Sequence, residues 1–170
     1  MMIVMAGKGE RERDFRDAFA VLFPAAFRIA LRLVGDVATA EDVAAEALGR
    51  AYSQWERISG LDYREAWVMR VASNVAIDTV RKRRGVPIAP PPVDPADAAA
   101  TRVTLVAALR LLPARQRDVV VLRYLSDMSE ADVAAALGLA PGTVKTHLRR
   151  GLEGLRGLID DQAEGRLHAT

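Results

Sequence analysis

Residues 85–100, GVPIAPPPVDPADAAA, hold five prolines and no aromatic residue, and they limit every fold open to this chain. Each proline fixes its own backbone torsion, lacks an amide donor and pushes the preceding residue toward extended geometry. No helix or inner strand is expected to run through such a segment, and proline enrichment makes it a semi-rigid, extended linker. The chain therefore reads as two small domains, 10–85 and 101–160, separated by a linker over 86–100 and followed by a flexible tail over 161–170. Alanine, leucine and valine dominate while aromatics make up 5%, and strand-like alternation is scarce. The predicted fold class is all-α. With 170 residues to share, each unit buries only a modest core.

On the N-terminal side, Phe15, Phe19, Leu22, Phe23, Phe27, Ala30 and Leu33 fall on one helical face. Pro24 predicts a break or kink near Phe23. Thr39 with Asp42 reads as a capping box opening a second helix to about Trp55. Its inward set is Val43, Ala47, Leu48 and Ala51, which leaves Asp42, Glu46, Arg50 and Gln54 in a row along the opposite side. Such a row is either a solvated face with weak ion pairs or an acidic docking ridge. After a short loop, Ile58 to Leu61, Asp62 and Glu65 cap a third helix. Trp67, Val68, Val71, Ala72 and Val75 form its apolar stripe, and Arg70, Asn74 and Arg81 gather on another face. The helix ends in the basic run Arg81, Lys82, Arg83, Arg84. Amide and guanidinium groups beside apolar side chains suit a single-stranded nucleic acid, and they equally suit a core helix with a solvated arginine end.

On the C-terminal side, Val103, Leu105, Val106, Leu109 and Leu112 mark a helix that stops at Pro113, where another begins with Val119, Val120, Leu122 and Leu125. Ser129 and Asp132 then form a capping box, Gly138 ends that helix, and Pro141 starts the next. Val144, Leu148, Leu152 and Leu155 give this last helix an inward stripe. Its outward residues are Thr143, Lys145, Thr146, His147, Arg149 and Arg150, with Glu153 opposing the charge. Two helices at a tight corner, the second one basic, form a helix-turn-helix whose second helix fits a DNA major groove. A two-helix corner with a basic face also occurs in proteins that bind no nucleic acid.

The net charge is only +2, so clustering matters more than the total. Basic patches at 81–84 and in the last helix lie apart from an acidic one made by Asp36, Glu41, Asp42 and Glu46, a distribution that suits more than one partner. The absence of cysteine excludes disulfides, thiol catalysis and cysteine-based zinc sites. Met1 to Ala6 is too short for a secretory core and is followed by dense charge, so neither export nor membrane insertion is expected. An enzyme built as a helical bundle finds little support. His147 and His168 are the two histidines, no Glu-x-x-His pair is present, and no glycine-rich phosphate loop occurs. No cofactor or metal is expected.

Three segments in order resemble one family. TAEDVAAEALGRAY is similar to AEDxxQExxxxxW, AWVMRVASNVAIDTVRKRR to WxxRIAxNxxxDxxRxxxR, and LPARQRDVVVLRYLSDMSEADVAAALGLAPGTVKTHLRRGLEGLR to the fourth conserved region of the bacterial sigma-70 factors, in their short extracytoplasmic-function (ECF) type. Ala45, Leu48, Ile58 and Ala140 depart from the family's usual residues. The resemblance implies a cytoplasmic, non-catalytic specificity subunit that binds core RNA polymerase through its beta-prime clamp helices and beta flap. It places Asp42, Glu46 and Arg50 on the clamp-helix contact. It implies that Ile58, Met69, Val71 and Asn74 line a pocket for a flipped base of a melted -10 element, with Arg70, Arg81, Arg83 and Arg84 along the same DNA. Thr143, Lys145, Thr146, His147, Arg149 and Arg150 would read a duplex -35 element. An anti-sigma factor is the further partner implied. The C-terminal half alone equally suits a response-regulator-like activator, a helix-turn-helix protein that binds duplex DNA as a dimer.

Overall fold

The structure is a computed structural model that describes the backbone of residues 2–83 and 98–167 and the side chains of residues 9–82 and 101–160. Among the described residues the chain is helical without strands. Its order is α1 (Met2–Val34), α2 (Val37–Ser53), α3 (Trp55–Ile58), α4 (Arg64–Arg83), α5 (Ala98–Leu111), α6 (Ala114–Val120) continuing into a π-helical turn (Val121–Leu125), α7 (Glu130–Leu137) and α8 (Pro141–Leu167).

In the N-terminal unit α1, α2 and α4 pack against one another, with α3 wedged beside α1 and α2. Small residues set that packing. Ala25, Ala26 and Ala30 of α1 and Ala40, Ala44, Ala47 and Ala51 of α2 are buried, which lets the helix axes approach closely. Leu22, Ile29, Leu33 and Val68 fill the remaining space, each worth about 1.5–3 kcal/mol of burial. α1 runs through Pro24 as one helix, so the predicted break is not observed. The proline and Ala20, whose carbonyl it leaves without an amide, both lie on the exposed side, where losing one intrahelical bond is tolerated. Phe19, expected in the core, is 41% exposed and stacks on Phe23 instead. α2 begins ahead of the predicted Thr39 cap: Asp36 is the N-cap, its carboxylate accepting from the Thr39 amide at 2.9 Å and from the Thr39 hydroxyl.

In the C-terminal unit α6 and α8 pack together, and α5 and α7 also rest on α8. Gly151 and Gly154 explain the close fit. A Cβ on Gly151 would sit 2.7 Å from a Val120 methyl, and one on Gly154 would sit 2.9 Å from a Leu112 methyl. Proline-rich residues 86–97 lie outside the described residues, but α5 already begins at Ala98, inside the stretch assigned to the linker. α8 extends to Leu167, so residues 161–167, expected as a tail, are helical. Ala98, Ala99 and Ala100 are strong helix formers that open α5, and no proline interrupts α8 after Pro141.

The two units do not stand apart. α4 contacts α7 and the π-helical turn, and α5 touches α1 and α4. Buried apolar residues of both units belong to one connected cluster.

Candidate nucleic-acid interface

The corner at α7 and α8 is built from local chemistry. The Ser129 hydroxyl accepts from the Asp132 amide at 3.1 Å, and the Asp132 carboxylate accepts in return from the Ser129 amide at 3.3 Å. Two donors that α7 cannot satisfy internally are thereby satisfied. Gly138 takes left-handed geometry, φ 63°, and the Leu139 amide donates back to the Ala134 carbonyl at 2.9 Å. Pro141 then opens α8. Val144 and Leu155 are buried and Leu148 is half-buried, whereas Leu152, expected inward, is 39% exposed.

That anchoring aims the other face outward. Thr143, Lys145, Thr146, Arg149 and Arg150 are all exposed, and His147 is half-buried. Arg149 pairs with Glu153 at 2.7 Å, and the Thr146 hydroxyl donates to the Gly142 carbonyl at 2.9 Å. The shielded Nδ1 of His147 meets no hydrogen-bond partner among the described residues. The result is one cationic strip on a rigid helix, of a width and charge suited to a major groove.

On α2, Asp42, Glu46 and Arg50 are all exposed, and Glu46 and Arg50 pair along the helix. The buried alanines on the opposite side fix this ridge in place.

The predicted base pocket is different. Ile58 is fully buried at the end of α3, as is Trp55 at its start, and belongs to the core. Trp55 is itself held there, its indole N–H donating to the Asp14 carboxylate at 2.8 Å and its ring meeting Phe15 edge-on. Met69 is also buried, while Val71 and Asn74 are half-buried on α4. Ile58 is therefore closed off from any open pocket, contrary to expectation, whereas Met69 borders a groove of about 380 Å³ between the units and Val71 and Asn74 stay partly accessible on α4. The apolar character of Ile58 and Met69 reflects packing of α3 and α4. The groove beside this loop, about 640 Å³, is lined by Asp14, Asp17, Asp62 and Glu65 with Arg64, an acidic surface that repels phosphate.

Arg70 is half-buried and lies 2.8 Å from Asp118 of α6, an ion pair between the two units. Arg81 is exposed and pairs loosely with Asp78 at 3.7 Å. The side chain of Arg83, and Arg84 altogether, lie outside the described residues. Among functional candidates, Asp118, Arg32 and the glycine pair of α8 were not legible as such in the sequence. The glycines gave a signal, a Gly-x-x-Gly inside an amphipathic helix, whereas the cross-unit ion pair gave none. No helix among the described residues is long and apolar enough to cross a membrane, and no group of acidic and histidine residues there could hold a metal.

Comparison with known proteins gives a consistent result. Residues 19–86 match the family described as Sigma-70 region 2, and residues 102–155 match Sigma-70, region 4. The RNA polymerase sigma-E factor of Streptomyces coelicolor is 41% identical over 149 residues, covering 84% of this chain and 84% of that protein. The ECF RNA polymerase sigma factor SigL of Mycobacterium tuberculosis is 38% identical over 142 residues, covering 76% of this chain and 80% of that one. Among solved structures, the sigma factor RpoE of Bartonella quintana, crystallised with the anti-sigma factor NepR, superposes with a TM-score of 0.53 at 27% identity, covering 87% of this chain and 98% of that one.

Proposed function

The chain belongs to the sigma-70 family of RNA polymerase sigma factors, in its ECF group, and from that premise we propose how its surfaces share the work. As a sigma factor it binds core RNA polymerase and directs transcription to promoters. A dimeric response-regulator-like activator would account for the C-terminal half alone. The match to region 2 over residues 19–86 is the observation that favours a sigma factor over it.

In our reading α8 enters the major groove of the -35 element. Lys145, Arg149 and Arg150 supply phosphate and base contacts, and Thr143, Thr146 and His147 flank them, as their outward placement allows. The ridge of Asp42, Glu46 and Arg50 docks core polymerase, supported by its exposure and by the rigid alanine packing behind it. The -10 element belongs to α4 through Arg70, Val71, Asn74 and Arg81, with Arg83 and Arg84 continuing the basic run. Ile58 and Met69 act there as packing that holds α4 in position. We take the domains as residues 10–85 and 101–160 with the proline-rich linker between them, a division that the family matches over 19–86 and 102–155 support. The chain supplies no catalytic group of its own, works in the cytoplasm, and answers to an anti-sigma factor of the kind bound by the Bartonella neighbour.

The test is reconstitution. Purified chain added to core polymerase should direct initiation from the promoter of its own operon, and core alone should not. Tight binding of the isolated chain to duplex operator DNA, together with failure to co-purify with core, would instead establish the activator reading.

A further inference from the structure

Resting on the promoter-reading role proposed for α4, we infer that the groove between α1 and the loop joining α3 to α4 is closed to nucleic acid by charge. Asp14, Asp17, Asp62 and Glu65 are positioning residues that turn the melted strand away from this groove and toward the basic part of α4.

The shape of the groove is the first support. Its volume of about 640 Å³ lies within the ~300–1,000 Å³ typical of ligand sites, so a nucleoside would fit. Its lining is also partly apolar. Val21 is 61% exposed on the α1 side, and Leu61 is half-buried on the loop side. Such side chains offer an unstacked base a surface to rest on.

The charge of the groove opposes its shape. All four carboxylates are exposed, and among the described residues Asp17, Asp62 and Glu65 meet no cation at ion-pair distance. Arg64, the cation of the lining, turns its guanidinium to the Ser59 carbonyl at 2.9 Å. Acidic residues at the start of a helix complement its dipole, which accounts for Asp62 and Glu65. That account does not reach Asp14 and Asp17, which sit well inside α1. Farther along α4 the sign changes, with Arg70, Arg81 and Lys82. A phosphate approaching the loop therefore meets repulsion on the α1 side and attraction along α4. In water one carboxylate about 10 Å from a phosphate weakens binding about twofold, and salt screens the effect over about 8 Å at 0.15 M. Repulsion of this kind adds specificity by excluding the wrong path.

Because the chain has no cysteine, Val21→Cys gives a unique thiol in the groove for a short-armed photo-crosslinker. Polymerase assembled with the labelled full-length chain is irradiated on a pre-melted promoter. The parent should crosslink weakly through this position. Asp17→Asn, Asp62→Asn and Glu65→Gln combined should crosslink strongly and bind a random-sequence single-stranded oligonucleotide about eightfold tighter at low salt, a gain that shrinks above about 0.15 M. Asp17→Asn alone, an exposed site inside α1, should give about twofold and serves should the triple variant lose helicity. Asp160→Asn, the same charge change at an exposed site on α8, should leave both readouts unmoved. Equal crosslinking in parent and triple variant, or equal effects of Asp17→Asn and Asp160→Asn, would overturn the inference. Promoter opening is read on the same samples. A parent that binds core polymerase and fails to open the promoter would contradict the role proposed for α4, whereas a parent that opens it while the variants change nothing contradicts the groove's role alone.

Discussion

Arg149 faces Glu153 at 2.7 Å with both side chains more than half exposed, so the pair is weak in water and a DNA phosphate can displace it. Lys145, one turn earlier, is exposed as well. Replacing either by alanine should weaken promoter binding by the assembled polymerase by about 1–3 kcal/mol for a base contact, or reduce the salt slope by about 1 for a phosphate contact. Core binding should not change. Anisotropy titrations at several salt concentrations separate the two kinds of contact, and equal losses of DNA and core binding would contradict the division of surfaces. Charge reversal at Asp42 and Glu46 should do the opposite, abolishing co-purification with core while the chain still melts at the parent temperature. The outward placement of these residues was legible because an amphipathic helix declares its outward face in its own spacing. Ile58 was not, since an isoleucine after a short loop looks the same whether it awaits a base or closes a core. Only its burial in the folded chain decides.

At the scale of elements, local signals were read well and context-dependent ones poorly. The Ser129–Asp132 box, the Gly138 reversal and the Pro141 start lie within a few residues of the atoms they satisfy, so the sequence carries them whole. The effect of Pro24 depends on whether its side of α1 meets water or protein, which no local pattern states. The start of α2 was misplaced because Asp36 and Thr39 are both good caps, and the tertiary position of the chain after Gly35 selects the earlier one. Two predictions belong here. Ala140→Ser should restore a side-chain cap to the first turn of α8 and stabilise the C-terminal unit by about 1 kcal/mol, seen as a higher melting temperature. Gly151→Val should force its side chain against Val120, which is buried and stiff, and cost about 1–3 kcal/mol or more. A Gly151→Val chain that melts with the parent would show that α6 and α8 are not in close contact.

For the whole molecule, the proline-rich segment announced two units but not how they rest on each other. The sequence places Arg70 and Asp118 in different predicted domains, and only the folded arrangement brings them to 2.8 Å. The apolar cluster is shared, yet Arg81 remains at the surface, so the contact between the units covers part of α4 and not all of its basic run. Division of the sequence into two units thus coexists with a fold in which the two pack against each other. The central claim is that both units act on one promoter only through polymerase. Nuclease footprinting on the chain's own promoter tests it most directly. Polymerase loaded with this chain should protect two separated blocks at the -35 and -10 elements, with bases of the second reactive to permanganate, while the chain alone protects neither. Full protection by the chain without polymerase, or a single block with no melted bases, would contradict the account.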